Sequence, residues 1–368
     1  MSSVNPILTS IRTLADPATW EKAVALADEC LPALTGQLRP DEIGRVYLVG
    51  CGTSYYAGQV GRYFVERLAQ IPAQAVQAYE FAAYAEPALL GRGTLAVAIS
   101  TSGDTEAAAN ALVRARDSGA RTLAVTATAG SLVTQVAEAT VLTGGEGDTP
   151  PAKTSSYVQS LITLWMLAQH LAEPKGLGDP ARVAARRGEI ETAAVAASRY
   201  MAGAETAMFG LARRYASASA VFVVGSGPNV GTAQEGALKV VEMSKLFADA
   251  RELEDFAHGR FRVVDPSTLF VVLAPGGRAS NKVLDFLTAT AHVKAPTIVV
   301  TDEPSSAIKG LATHVVEVPR GVSELASPLV TIIPLYLFAY QLAFERGWDP
   351  MSRRYEDFYP QKMRYAAA

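Results

Sequence analysis

Two stretches carry side chains whose types and spacing suit proton transfer. In Glu235-Gly-Ala-Leu-Lys239-Val-Val-Glu242 the three charged residues stand at i, i+4 and i+7. On a helix that spacing makes one stripe two turns long. The stripe is either a solvated ion-pair face or a reactive set with a carboxylate base. Downstream, Arg251-Glu-Leu-Glu-Asp-Phe-Ala-His258-Gly259 reads as a polar loop with one histidine before a glycine. Taken alone, that histidine is either structural or a proton carrier. A carboxylate base together with a histidine suits aldose–ketose chemistry. One group opens the sugar ring, and the other carries a proton between adjacent carbons through an enediol or enolamine.

Two further stretches suit an anion. The apolar run 95–99 ends in Ser100-Thr-Ser-Gly-Asp-Thr105 and continues into the strong helix former 106–112. A strand that turns through hydroxyls into a helix points free N–H groups at one spot, where the helix dipole favours an anion. With no Lys or Arg in the turn, a phosphate there would be held by N–H and O–H donors alone. The alternative is an ordinary Ser/Thr cap with Asp in the first turn. Gly50-Cys-Gly-Thr-Ser54 is a second such turn. It is not a dinucleotide fingerprint, because the third glycine of G-x-G-x-x-G would fall at Tyr55; Gly225-Ser-Gly-Pro228 fails likewise at Val230.

The elements that must position these residues repeat. Segment 1–43 reads as helical, with a turn at Asp16-Pro17. Strands are expected at 45–50, 75–78, 95–99, 121–126 and 140–143, alternating with helices at 55–68, 106–115, 132–137 and 155–171. After a linker at 174–180 and a long helix at 181–218, the pattern restarts. Val221-Phe-Val-Val-Gly-Ser-Gly227 echoes Val46-Tyr-Leu-Val-Gly-Cys-Gly52, and the runs at 269, 297 and 315 echo those at 95, 122 and 141. The offset of about 175 residues throughout marks an internal duplication. The expected fold is α/β, two duplicated halves at 44–173 and 181–348, each a parallel sheet flanked by helices, with a tail at 349–368. The halves differ: the second has Ala274-Pro-Gly-Gly-Arg278 where the first has its hydroxyl cradle.

Composition narrows the partners. The 368 residues carry a net charge of −3 and no basic cluster, so nucleic acid is not expected. Two cysteines and four scattered histidines give neither a disulfide framework nor a zinc spacing. The apolar run 325–344 is near membrane-spanning length, but Pro328 and Pro334 interrupt it, so it reads as a buried helix. With no signal pattern at the N-terminus, a cytoplasmic protein is expected.

These motifs identify a resemblance. Over nearly all of residues 40–350 the chain resembles the SIS (sugar isomerase) superfamily, in particular tandem-SIS proteins such as the isomerase half of glucosamine-6-phosphate synthase. It is also similar to stand-alone amino-sugar-phosphate deaminases and fructosamine-6-phosphate deglycases. Cys51-Gly-Thr-Ser54 looks like the family's CGTS turn. Ser100–Thr105 looks like its S-Q-S-G-E-T loop, with departures at Thr101 and Asp104. Glu235 to Glu242 looks like its E-G-A-L-K-x-x-E helix, and His258-Gly259 stands at its H-G spacing.

The resemblance implies that Ser54, Ser100, Thr101, Ser102 and Thr105 hold a sugar phosphate. It implies Glu242 as the base at C1 and C2, and His258 as the ring-opening group or acid, reaching the site from the neighbouring subunit of a homodimer. Cys51, Gly52, Thr53, Glu235, Lys239, Thr154 and Arg354 would support them. No metal or organic cofactor is implied. The glutaminase domain of the glutamine-dependent members is absent, so amide transfer is not expected. Two segments depart from the pattern. The tail Asp349-Pro-Met-Ser-Arg353-Arg354-Tyr355 lacks the family's lysine, which Lys362 replaces only if the tail is displaced. Ser155 follows Thr154 where the family has Lys. The implied activity is conversion of glucosamine 6-phosphate to fructose 6-phosphate and ammonia. The alternatives are a fructosamine-6-phosphate deglycase and a sugar-phosphate sensor without chemistry.

Overall fold

The computed structural model describes residues 5–144 and 152–355. Lys362 and the start of the segment before Thr154 lie outside the described residues. Three helices come first: α1 (Pro6–Thr13), α2 (Pro17–Ala33) and α3 (Thr35–Leu38). The first two begin at prolines behind Asn5 and Asp16, whose side chains accept the N–H of Ile7 and Ala18.

The first half then runs β1 (Arg45–Gly50), α4 (Thr53–Phe64), β2 (Ala73–Gln77), α5 (Ala78–Tyr84), β3 (Thr94–Ile99), α6 (Glu106–Asp117), β4 (Arg121–Thr126), α7 (Leu132–Val136), β5 (Ala139–Leu142) and α8 (Ser155–Ala172). A 35-residue helix, α9 (Pro180–Arg214), leads into the second half. That half runs β6 (Ala220–Gly225), α10 (Asn229–Ser244), β7 (Ala248–Glu252), α11 (Leu253–Ala257), β8 (Thr268–Leu273), α12 (Ser280–His292), β9 (Thr297–Thr301), α13 (Ser306–Leu311), β10 (His314–Glu317) and α14 (Pro328–Glu345).

Each half is a five-stranded parallel sheet, ordered β2-β1-β3-β4-β5 and β7-β6-β8-β9-β10. The duplication extends to register. Val46 pairs with Ala73 as Val221 pairs with Ala248, and Ala96 with Thr122 as Phe270 with Thr297. The central strands are buried runs, which is why their echoes are legible. The fifth pair, β2 and β7, is not. Both are edge strands, and Ala-Gln-Ala-Val-Gln and Ala-Asp-Ala-Arg-Glu carry no apolar run. The reading of 251–259 as a polar loop is therefore corrected. Arg251 and Glu252 end β7, and Leu253 and Phe256 of α11 are buried.

One core layer lies between the sheets and joins the halves, through α4, α8, α10 and α14. Smaller clusters cover the outer face of each sheet. The apolar run expected to be a buried helix is one: α14 is enclosed along almost its whole length. Pro328 opens it, where a missing N–H does not matter, and the helix continues through Pro334. An internal proline costs about 3 kcal/mol; burial of almost the whole helix outweighs that.

The halves meet where α4 crosses α10. A Cβ on Gly231 would lie 2.7 Å from the main-chain O of Tyr56 and 2.8 Å from Val60 Cγ2. Gly203 in α9 has open space around it. Helix propensity favours alanine over glycine by about 1 kcal/mol at either place, whereas overpacking against backbone costs about 1–3 kcal/mol. Gly231→Ala should therefore lower the urea midpoint and Gly203→Ala should raise it. A Gly231→Ala protein as stable as the parent would show that this crossing is not tight.

Candidate active site

The strand order reverses between β1 and β3, and ligands of open parallel sheets sit beyond the strand ends at that switch point. Both hydroxyl turns lie there. After β1 the chain turns so tightly that a Cβ on Gly50 would lie 2.8 Å from the Ser54 main chain, and Gly52 takes φ +53°. Thr53 and Ser54 thereby become the first residues of α4, with Cys51 and Gly52 exposed ahead of them.

After β3 the loop is braced from within. Ser100 is buried; its Oγ lies 3.1 Å from Thr105 Oγ1 and accepts the N–H of Gly103 at 3.2 Å. Gly103 has φ +74°, and a Cβ there would collide with Ser131. The Thr101 carbonyl accepts the N–H of Ala127 at 3.1 Å, which ties the loop to the end of β4. Ser102 is exposed, and Thr101 and Thr105 are half-buried. No side chain caps α6, so the ordinary-cap alternative does not hold; the Thr105 carbonyl takes the N–H of Ala108, and the N–H groups of Glu106 and Ala107 are left to the cradle.

In the second half the matching donors are taken up by the protein itself. Gly276 N–H donates to Asp302 Oδ1 at 2.8 Å, and Arg278 N–H donates to Glu324 Oε1 at 3.2 Å.

The charged stripe of α10 is not a solvated face. Glu235 and Lys239 are 0% and 1% exposed. Lys239 Nζ lies 3.3 Å from Glu235 Oε1 and 2.6 Å from Glu242 Oε2, and it donates to Thr53 Oγ1 at 3.0 Å. Tyr336 of α14 donates to Glu235 Oε1 at 3.1 Å. Gly236 allows this approach, since a Cβ there would run into Leu335. Burial raises the Glu235 carboxyl to about 7, against the pull of Lys239. Burial alone would lower the Lys239 amine, but Glu235 and Glu242 together raise it above its ordinary value. Glu242 differs from its neighbours: its side chain is 29% exposed. Of the stripe's two carboxylates, it is the one open to a substrate. The Thr53 bond brings it to the turn after β1, beside the cradle.

Two expected residues, His258 and Thr154, stand elsewhere, and Arg354 lies on the segment after α14. His258 ends α11 and is exposed, with Nδ1 2.9 Å from the Glu254 carbonyl. Leu253 and Phe256 seat α11 on the outer face of the second sheet, whereas α10 packs on the inner face. Within one chain, therefore, the helices that bear His258 and Glu242 are on opposite sides of a sheet. Thr154 is buried and donates to Ser10 Oγ at 2.8 Å, linking α8 to α1. Arg354 lies over the Trp348 ring at 5.4 Å. Tyr336 is a partner that the sequence did not reveal; within an apolar helix, no pattern marks one tyrosine as facing a carboxylate.

A model of the SIS domain matches residues 41–170 and again 214–346. The chain belongs to the SIS domain family. It is 30% identical over 312 residues to the glutamine–fructose-6-phosphate aminotransferase (isomerizing) of Mycolicibacterium smegmatis, covering 84% of this chain and 49% of that protein. The chain thus spans about half the length of the curated relatives it matches. Among solved structures, the C-terminal domain of glucosamine-fructose-6-phosphate aminotransferase from Francisella tularensis superposes with a TM-score of 0.83 at 21% identity, covering 95% of this chain and 98% of that one. Glucosamine-6-phosphate deaminase from Thermotoga maritima does so with 0.70 at 19% identity, covering 94% and 96%. The two SIS matches coincide with the two sheets, so the duplication read from the sequence is a pair of SIS halves.

Removing the lysine tests the buried network. Lys239→Met leaves Glu235 buried without its cation, which costs about 3–5 kcal/mol. The folded carboxyl at about 7 lies above its unfolded value. Its favourable contribution is therefore complete below about 4.3 and lost as pH rises through 7. Without Lys239 that shift grows. Denaturant titrations should show a larger loss for Lys239→Met at pH 8 than at pH 5. Equal losses at both would mean that Glu235 is not the group left unpaired.

Proposed function

We propose that the chain is a phosphosugar isomerase-type enzyme acting on an amino-sugar phosphate, with glucosamine 6-phosphate converted to fructose 6-phosphate and ammonia. The observation that carries this reading is the single half-exposed carboxylate, Glu242, fixed by a buried lysine beside an uncapped hydroxyl cradle. Relatives named for fructose 6-phosphate and glucosamine 6-phosphate support it.

In this reading Ser54, Ser102, Thr105 and the N–H groups of Glu106 and Ala107 hold the phosphate, while Ser100 and Thr101 shape the loop around it. His258 opens the sugar ring. Glu242 takes the proton from C2 of the open-chain aldehyde and returns it to C1, passing through an enolamine. The resulting imine at C2 adds water and expels ammonia, leaving the ketone of fructose 6-phosphate. Lys239 holds the carboxylate aimed at the opening, and electrostatic preorganisation of this kind is a large part of catalysis. Because α11 and α10 lie on opposite faces of the second sheet, His258 serves the site of a second copy, so the working unit is a homodimer.

Product analysis tests the reaction. Purified protein incubated with glucosamine 6-phosphate should release ammonia and fructose 6-phosphate in equal amounts. Glucose 6-phosphate formed only from a fructosamine 6-phosphate would make it a deglycase instead. Glu242→Gln should abolish turnover, a loss of at least about 10²-fold, while phosphosugar binding by calorimetry persists. Turnover that survives this change would remove Glu242 as the base.

The shared site has its own test. Neither Glu242→Gln nor His258→Asn should turn over substrate alone. Mixed and reassociated in equal amounts, they should recover about a quarter of wild-type activity, because half the dimers are hybrids with one intact site of two. No recovery in proven hybrids would place both residues in one chain's site.

A further inference from the structure

Lys245 closes α10 in a backbone state that belongs to glycine. Its φ is +58°, in the left-handed region where a glycine ends a helix without strain. The lysine side chain does what glycine cannot. Nζ donates to the carbonyl oxygens of Glu242 at 2.6 Å, Met243 at 3.3 Å and Ser352 at 2.6 Å. The first two are last-turn carbonyls of α10. The third belongs to the segment after α14. One amine therefore holds the main chain of Glu242 and that of Ser352 against each other.

The segment it holds is a folded turn. Met351 N–H donates to Asp349 Oδ1 at 2.8 Å, and Ser352 N–H donates to the Asp349 carbonyl at 2.9 Å. Two cations lie close to the Trp348 ring, Lys245 Nζ at 5.7 Å and Arg354 Cζ at 5.4 Å. Residues 348–354 thus dock as one piece beside the end of the stripe that carries Glu242.

We propose that Lys245 is a positioning residue that docks the 348–354 turn beside Glu242 and thereby sets how the phosphosugar is held, without touching the reacting atoms. The inference rests on the reading of Glu242 as the base. The Glu242 carboxylate is held separately, by Lys239 at 2.6 Å. Removing the Lys245 amine therefore leaves the base in place and loosens the wall beside it. The effect falls on substrate binding more than on the chemical step, so KM rises while kcat holds.

The test compares Lys245→Gly, Lys245→Met and Lys245→Arg in the full chain. Glycine suits the left-handed backbone, so a merely structural role predicts a Lys245→Gly protein that is at least as stable as the parent and equally active. The proposal predicts that KM for glucosamine 6-phosphate rises about tenfold in the Gly and Met variants, with kcat within about twofold, and recovers in Lys245→Arg, which keeps a cation and its donors. Trp348 gives a second readout. The chain has three tryptophans, and Trp20 and Trp165 are buried, so acrylamide quenching reports on Trp348. Quenching should rise with the loss of the amine. Unchanged KM and unchanged quenching in a folded Lys245→Gly protein would overturn the proposal. If the parent does not turn over glucosamine 6-phosphate, the functional reading fails by itself. Quenching then decides whether Lys245 tethers the turn, so the two failures stay distinct.

Discussion

The structure depends on one buried ammonium. Lys239 lies between two carboxylates and a hydroxyl, and the hydroxyl comes from the other half of the chain. An unpaired charge at such depth would cost several kcal/mol. The lysine is tolerated only while α10, α14 and the turn after β1 all hold their places around it. The same bonds fix Glu242 at the edge of the first half. A constraint on stability and a constraint on site geometry are therefore one set of atoms. The wide spacing of Glu235 and Glu242 serves this arrangement: one carboxylate balances the lysine from inside, and the other balances it from the opening.

Duplication explains why a site can form between two similar halves and yet be asymmetric. The sheets share order and register, so both present a strand-to-helix turn at the same edge. In the first half, small hydroxyl residues leave helix donors open. In the second, Asp302 and Glu324 take up the donors of the matching turn. The second half instead supplies the charged helix. Close packing at Gly231 brings that helix against α4 of the first half, and close packing at Gly236 seats it on α14 of its own half.

Much of the fold was legible because its strands are buried on both faces and read as apolar runs. β1, β4 and β9 fall where the sequence places them. The edge strand β7 was hidden because Ala-Asp-Ala-Arg-Glu carries no such signal. The buried helix α14 was legible as an apolar run, and it continues through Pro334 because the packing of a helix enclosed on nearly every side outweighs the lost hydrogen bond. The phosphate cradle was visible as a composition, but whether α6 was capped depended on the Thr105 hydroxyl, which pairs with Ser100 instead.

By itself the sequence determined the duplication, the parallel α/β architecture and the residue types at each strand end, because these follow from local apolar periodicity and turn chemistry. It also placed Glu235, Lys239 and Glu242 on one helical stripe. Only the tertiary structure decided that the stripe is buried, that Thr53 and Tyr336 complete it, and that His258 stands on the far face of the sheet. Helical periodicity fixes which side chains share a face. It carries no information about what that face meets, which is set by contacts between residues far apart in the chain.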